Sequence, residues 1–226
     1  MKPRNPISNP RLYDYPYLFH RQLISDLKNI LPLSGKIYLD IGAGNQPFRL
    51  LYEKDRTIFA LDPSPNLSGK YIRGLADTLP IASQSCDVVL MFASLGCVDN
   101  PVNTFNEIWR ILRPGGLALI SEHQSWHQYG QFDRYHFTKN GFEHLGKTAG
   151  FKLKLIQSQG SFWMRVGICL NRMILPYQSS RWHFLAGFLK PLVVLNNCFF
   201  GLLDHLWKLD GEAVNWIALF EKPGEC

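Results

Sequence analysis

"KIYLDIGAGNQPFRLLYEKDRTIFALDPSP", Lys36 to Pro65, is the stretch on which the reading of the chain turns. KIYLDIG is a short apolar run that stops at glycine, and TIFALD is a second that stops at Asp62. FRLLYEKD between them has helical composition. Strand, glycine turn, helix and strand in that order make the first unit of an α/β sheet. Gly42 and Gly44, with Ala43 between them, let backbone approach a ligand closely. A dinucleotide fingerprint needs a third glycine, placed here at position 47, so that a pyrophosphate can sit over the helix N-terminus. Pro47 stands there instead. It suits the first turn of a helix but has no N–H to offer an anion.

Two acids complete the reading. Asp40 sets a carboxylate beside the turn and so favours a cationic ligand over a diphosphate. Asp62, followed by Pro63, lies about 20 residues beyond the glycines, where an acidic side chain accepts the ribose hydroxyls. The expected ligand is therefore cationic, carries a ribose and has no phosphate, and S-adenosylmethionine has all three features.

Outward from this stretch the pattern repeats. Tyr17 to Leu31 has apolar residues at helical spacing and ends at Pro32 and Gly35. SCDVVLMF, ending at Phe92, is continuous enough to be buried on both faces. PVNTFNEIWRIL is a helix closed by RPGG, and LALISEH is another buried strand. TKNGFEHLGKTAG is a helix with Thr138 as N-cap and Gly150 past its end. FKLKLIQSQ and AVNWIALFEK read as strands. The expected fold is α/β: a Rossmann-like open twisted sheet of seven strands, mostly parallel with an antiparallel last strand. A helical insertion precedes that strand. The expected organisation is one domain over 1–226. It comprises an N-terminal helical segment 1–35, a cofactor-binding core 36–160, an apolar helical insertion 161–210 and a last strand 211–226.

Composition bounds the rest. The 226 residues are 46% hydrophobic and 19% charged, which is globular usage. The formal charge of +6 comes from scattered Lys and Arg, without the basic clusters of a nucleic-acid partner. Five cysteines with no CxxC pair argue against a disulfide framework and against zinc. The N-terminus lacks a secretory apolar core, so a cytoplasmic location is expected.

At this point the sequence resembles the class I S-adenosylmethionine-dependent methyltransferases, in a type 11-like subgroup where proline follows the glycine turn. YLDIGAGNQPF resembles the first motif. LADTLPIASQSCDVVLMFASLGCVDNP resembles the adenine-side segment and fourth strand. NEIWRILRPGGLALIS resembles the helix, turn and fifth strand. The resemblance implies that Asp40, Gly42 and Gly44 hold the methionine part and Asp62 the ribose. Asp77, Thr78 and Leu79 approach adenine, and Ala43, Pro63 and Phe92 complete the cofactor set. Two departures stand out. The adenine-side acid usually falls where Leu75 is, and LGCV replaces a Leu-Glu-His-Val segment.

The acceptor side is less defined. EHQSWHQYGQFDRYHFT, Glu122 to Thr138, is the densest polar and aromatic cluster. His123 and His127 are candidate general bases and Asp133 a candidate orienting acid. Asp133 and His136 serve equally well as braces of the loop. No spacing of metal ligands such as HExxH occurs. Tyr13, Tyr17, Trp126 and Tyr129 could position an acceptor, because in-line attack on a sulfonium depends chiefly on proximity. The expected activity is methyl transfer to an O, N or C nucleophile of a small-molecule, glycan or lipid-linked acceptor. The alternatives are a non-catalytic S-adenosylmethionine-binding module that partners a membrane protein, and an NAD(P)-dependent oxidoreductase.

FLAGFLKPLVVLNNCFFGLL, Phe184 to Leu203, is long enough to suggest a membrane span. Lys190, Pro191, Asn196 and Asn197 interrupt it at a considerable insertion cost. It reads as buried or membrane-surface helices: a lid over the acceptor pocket, a peripheral membrane contact through 184–203, or an oligomer interface. Arg165, Arg172, Arg181, Lys190 and Lys208 against Asp204 and Asp210 favour contact with anionic lipid.

Overall fold

The apolar runs become strands of one mixed sheet. In the computed structural model, which describes residues 4–64, 71–128, 130–174, 183–209 and 211–224, seven strands are paired. They are β1 (Ile37–Ile41), β2 (Thr57–Asp62), β3 (Tyr71–Arg73), β4 (Cys86–Phe92), β5 (Leu112–His123), β6 (Lys152–Gln159) and β7 (Asn215–Glu221). Their order across the sheet is β3-β2-β1-β4-β5-β7-β6. β1 pairs in parallel with both β2 and β4, and β4 pairs in parallel with β5. β7 runs antiparallel to β5. The chain direction therefore reverses outward from β1 and β4, which is where open α/β sheets bind ligands.

Leu39, Val89, Leu90, Leu119 and Ile120 are all buried, as expected of strands covered on both faces. Helix α2 (Pro101–Ile111) starts at Asn100, whose side chain accepts from the Val102 and Asn103 amides at 3.1 Å each. Proline at the first helical position needs no amide partner there. Helix α3 (Lys139–Thr148) is capped by the Thr138 hydroxyl, which accepts from Gly141 N at 3.2 Å. Both helices bury aromatic and aliphatic faces in one core. Phe105 is at its centre, with ring centroids 5.5 Å from Phe220, 6.2 Å from Phe151 and 6.4 Å from Phe142.

Three local features differ from the sequence reading. FRLLYEKD forms only a short 3₁₀ turn, Arg49–Leu51. Left-handed backbone at Gln46 (φ 47°) and Asp55 (φ 59°) brackets it and leaves no room for a longer helix. RPGG does not merely close α2. It lies within β5, where Gly115 N donates to Lys222 O at 2.8 Å and Lys222 N to Gly116 O at 2.9 Å. β3 has no apolar run of its own and escapes pattern reading.

The chain forms two compact units. One, residues 30–157 with 215–226, is the sheet unit just described. The other, residues 1–29 with 158–214, is helical. It contains nearly all of α1 (Tyr17–Ile30), with α4 (Phe162–Ile174) and α5 (His183–Leu206). Within it, Asp204 of α5 caps α4: its Oδ1 accepts from the Ser161 and Met164 amides at 3.0 and 3.1 Å. Gln159 donates to Asp26 at 2.9 Å, and Gly160 N donates to Gln22 at 3.0 Å. Tyr129 and Arg181 lie outside the described residues.

Phe105→Ala should cost about 3–5 kcal/mol, because a fully buried ring leaves a cavity its aromatic neighbours cannot close. Urea unfolding followed by circular dichroism measures it.

Candidate functional site

The carboxyl ends of β1, β2, β4 and β5 form one edge of the sheet, since all four strands run parallel in register. The glycine turn leaves β1 there. Gly42 has φ 65°, and a Cβ on it would fall 2.5 Å from Ser94 Cβ, so only glycine fits. Gly44 has φ 47°, and a Cβ on it would meet nothing within 4 Å. The turn's backbone therefore faces open space at Gly44, the approach that a ligand's polar end requires.

Four amides of this turn are already engaged. Gly42 N and Ala43 N both donate to Leu61 O, at 2.8 and 3.1 Å. Gly44 N donates to Asp62 Oδ2 at 2.9 Å, and Gln46 N to Ala43 O at 2.7 Å. Pro47 has no amide. A pyrophosphate needs several converging N–H groups, and these are spent on the fold. Asp62 also accepts from Ser64 N, on Oδ1 at 2.8 Å. Each Asp62 oxygen has a second lone-pair direction, so the carboxylate can still accept ribose hydroxyls. Tyr71 closes over the turn and donates its hydroxyl to Gly44 O at 2.9 Å.

Asp40 lies beneath the turn, 4% exposed. Tyr52 donates its hydroxyl to Asp40 Oδ2 at 2.6 Å, and Gln46 reaches the same oxygen at 3.5 Å. Burial pushes the Asp40 carboxyl up to about 6; its hydrogen bonds and Arg49 oppose the rise, and the Asp62 charge adds to it. Burial and the Asp40 charge raise the Tyr52 phenol as well. A buried carboxylate with incomplete compensation gains from a nearby cation. This arrangement fits a sulfonium and amino-acid ligand and ill suits a diphosphate.

In the segment expected to approach adenine, Asp77 sits in a turn closed by an isolated bridge between Leu75 and Thr78. The Leu79 amide donates to Glu107 Oε2 at 2.7 Å, so it serves the fold and is not an open donor. Glu107 in turn pairs with Arg110 at 2.7 Å, and Arg110 donates to Leu79 O and Ile81 O at 3.1 and 2.8 Å. The Arg110 guanidinium holds the Glu107 carboxyl below its ordinary range. This brace from α2 fixes residues 79–81. Its sequence signal was the i, i+3 Glu-Arg pair in NEIWRIL, read only as part of a motif. Phe92 packs edge-on to Phe48 at 5.6 Å, on the edge where β4 ends.

Beyond β5, Glu122 is buried and was not among the predicted residues. Its carboxylate accepts from Gly96 N at 2.8 Å and His123 N at 2.9 Å. Burial pushes it up to about 7 against these amide bonds. It ties the segment after β4, the altered LGCV, to the end of β5. A Cβ on Gly96 would fall 2.6 Å from Tyr135 O, which explains why this segment carries glycine. His123, Trp126 and His127 form a continuous stack, with ring centroids 4.7 and 5.1 Å apart. Asp133 Oδ2 lies 3.3 Å from His136 Nε2, the brace that was the alternative to a catalytic role. Among the described residues no group of three His, Cys, Asp or Glu is placed to hold a metal ion.

Comparison with known proteins agrees with this geometry. Residues 39–120 match the family model described as a methyltransferase domain. The human thiol S-methyltransferase TMT1A is 26% identical over 60% of this chain and 68% of its own length. Other curated relatives are covered over 38% to 52% of their length. A methyltransferase structure from Thermotoga maritima, titled as possible histamine N-methyltransferase, superposes with a TM-score of 0.59 at 17% identity. It covers 92% of this chain and 91% of its own. Haemonchus contortus phosphoethanolamine N-methyltransferase 2, in complex with S-adenosyl-L-methionine, gives 0.58 at 18% identity over 96% of this chain and 57% of its own. At such identities these two structures share the fold.

Two outcomes follow for the cofactor site. Asp62→Ala should weaken S-adenosylmethionine binding by about 1–3 kcal/mol, read by calorimetry. Binding should also weaken as pH falls below about 6, because a cationic ligand selects the Asp40 carboxylate over its protonated form. The loss approaches about tenfold per pH unit, and Asp40→Asn should flatten it. In the ligand-free protein the sign is opposite for stability. The folded pKa lies above the unfolded one, so Asp40 lowers stability as pH rises through that window.

Proposed function

We propose that the chain, a class I S-adenosylmethionine-dependent methyltransferase, moves the methyl group onto a small-molecule acceptor, and that a thiol is the acceptor its site suits best. The observation that carries the cofactor half is the glycine turn with its amides spent above the buried Asp40 carboxylate. S-adenosylmethionine, when bound, supplies an electrophilic methyl on a sulfonium. Asp40 offsets the ligand's positive charge, Asp62 orients the ribose, and Glu107 with Arg110 holds the adenine-side segment in place.

The acceptor half rests on the loop after β5 and on the likeness to a thiol S-methyltransferase. The ring stack His123–Trp126–His127 offers a polarizable surface, which favours sulfur. A thiol ionises near about 8.5, so it needs only weak help from a base at neutral pH. His123 and His127 are the proton acceptors for that help. A hydroxyl acceptor would demand far more of them. Asp133, close to His136, shapes the loop. The oxygen, nitrogen and carbon acceptors, and any glycan or lipid-linked one, rank behind the thiol on this reasoning.

The test is turnover of a thiol series of graded acidity, followed by release of the demethylated cofactor. The rate should rise with pH toward each thiol's own pKa, and Trp126→Ala should lower kcat/KM by roughly tenfold, about the worth of one aromatic contact. Methylation of amines or alcohols with no thiol turnover would overturn the acceptor assignment and leave the cofactor site intact.

A further inference from the structure

Helix α5 buries Val193 and Phe200 but leaves a long run of large apolar side chains exposed. Its amide side chains point into the helical unit: Asn197 is 1% exposed and Asn171 of α4 is fully buried. Asn171 Nδ2 donates to Asn197 Oδ1 at 2.9 Å, and Asn197 Nδ2 donates to Leu12 O at 2.7 Å. Asn196 Nδ2 donates to Gly167 O at 2.8 Å and Asn171 Oδ1 at 2.9 Å. The polar residues that interrupt the apolar stretch thus bind α5 to α4 and to the N-terminal segment. Most of the large apolar residues point the other way. Phe188, Leu192, Leu195, Phe199, Leu202 and Leu206 recur at alternating steps of four and three, which puts them on one face of a helix. All six are exposed, Phe188 by 80%, Leu195 by 65% and Leu206 by 70%. Trp207 and Leu209, also exposed, continue the apolar surface past the helix end.

A stripe of this length on a water-soluble surface marks an interaction site. Its period also suits a helix from a second copy, so charge must decide between occupants. The helical unit, residues 1–29 with 158–214, has ten Lys and Arg against five Asp and Glu, a net +5. The whole chain has +6, so the sheet unit accounts for only +1. Two copies meeting through α5 would bring two such positive units together. An anionic surface would instead attract them. The only acid in α5 is Asp204, and its carboxylate is spent on the α4 cap. No charged residue lies at a stripe position. No helix among the described residues is long and apolar enough to cross a membrane. With Asn196, Asn197, Val193 and Phe200 turned toward the helical unit, the stripe is the apolar face that α5 leaves exposed, which suits it to lie in the plane of an interface.

We propose that α5 is a peripheral membrane-docking helix, its Phe/Leu stripe seated in the interface of an anionic bilayer while the basic helical unit faces the headgroups. This is independent of the acceptor proposed above. It places the enzyme at a lipid surface whichever small molecule it methylates.

The test is flotation of the full chain with vesicles of phosphatidylcholine alone and of phosphatidylcholine mixed with phosphatidylglycerol. The wild type should float with the mixed vesicles, far less with the neutral ones, and should be partly released by salt. The double substitution Leu195→Glu, Phe199→Glu should reduce bound protein at least about tenfold. It should still bind S-adenosylmethionine in calorimetry, because both side chains are exposed and make none of the Asn network's hydrogen bonds. Should that variant fail to fold, the wild type answers alone. Bromine-labelled acyl chains should quench part of its tryptophan emission, and Trp207→Phe should remove that part. A wild type that stays unbound to the mixed vesicles overturns the proposal. So does a variant that floats as well as the wild type, or a wild-type dimer that the double substitution dissociates while vesicle binding is absent.

Discussion

The hydrogen bond from Gly44 N to Asp62 is the constraint on which the site depends. It joins the glycine turn to the end of β2, and with the two amides donated to Leu61 O it commits the turn to its neighbouring strand. A turn that spends its N–H groups this way cannot also cradle a phosphate. The carboxylate that takes the amide is the one proposed to meet the ribose, and the turn that it helps to shape holds it in position. Asp40 then matters through charge, since Tyr52 and Gln46 compensate its burial only in part. A cationic cofactor supplies what the protein leaves incomplete.

Pro47 and the two aspartates made the ligand class readable before any coordinates, because each restricts chemistry by residue type alone. The strand–turn–strand frame was readable for the same reason: fully buried parallel strands are continuous apolar runs. What escaped was held by partners remote in sequence. Glu107 and Arg110 brace residues 79–81 from 28 to 31 positions away, beyond β4, and no local pattern says so. Glu122 is one acid among many until Gly96, 26 positions away, is seen to donate to it. β3 is three residues at the edge of the sheet, too short to show a period. The turn at Arg49–Leu51 had helical composition, but left-handed backbone on both sides decided against a helix.

The acceptor side shows how a departure from family pattern can be structural. Gly96 stands in the altered segment after β4, where a side chain would collide with the Tyr135 carbonyl. Arg134 N and Tyr135 N both donate to Gly96 O, at 2.8 and 3.1 Å. The loop that contains the His and Trp stack is thus packed directly on the segment that lost its larger side chains. Glu122 anchors the other side of the same contact. The substitution and the loop form one arrangement, in which backbone hydrogen bonds do what a longer side chain at position 96 would obstruct.

The helical unit has its own apolar core, which includes Leu23, Ile168, Val193 and Phe200, but α5 departs from the pattern of the sheet unit. In the sheet unit apolar residues are inside, and Phe105 with its ring neighbours is the core. In α5 the stripe Phe188 to Leu206 is outside and the asparagines are inside, at the cost of desolvating amides that then have to satisfy one another. Asn171, Asn196 and Asn197 do so with four backbone carbonyls and each other's side chains. A helix meant only to cover a core would invert this pattern and avoid that cost. The same inversion explains why the sequence near Phe184–Leu203 resembles a span yet is broken by amides at 196 and 197. Its apolar stripe is exposed, and its asparagines are placed for the protein beneath.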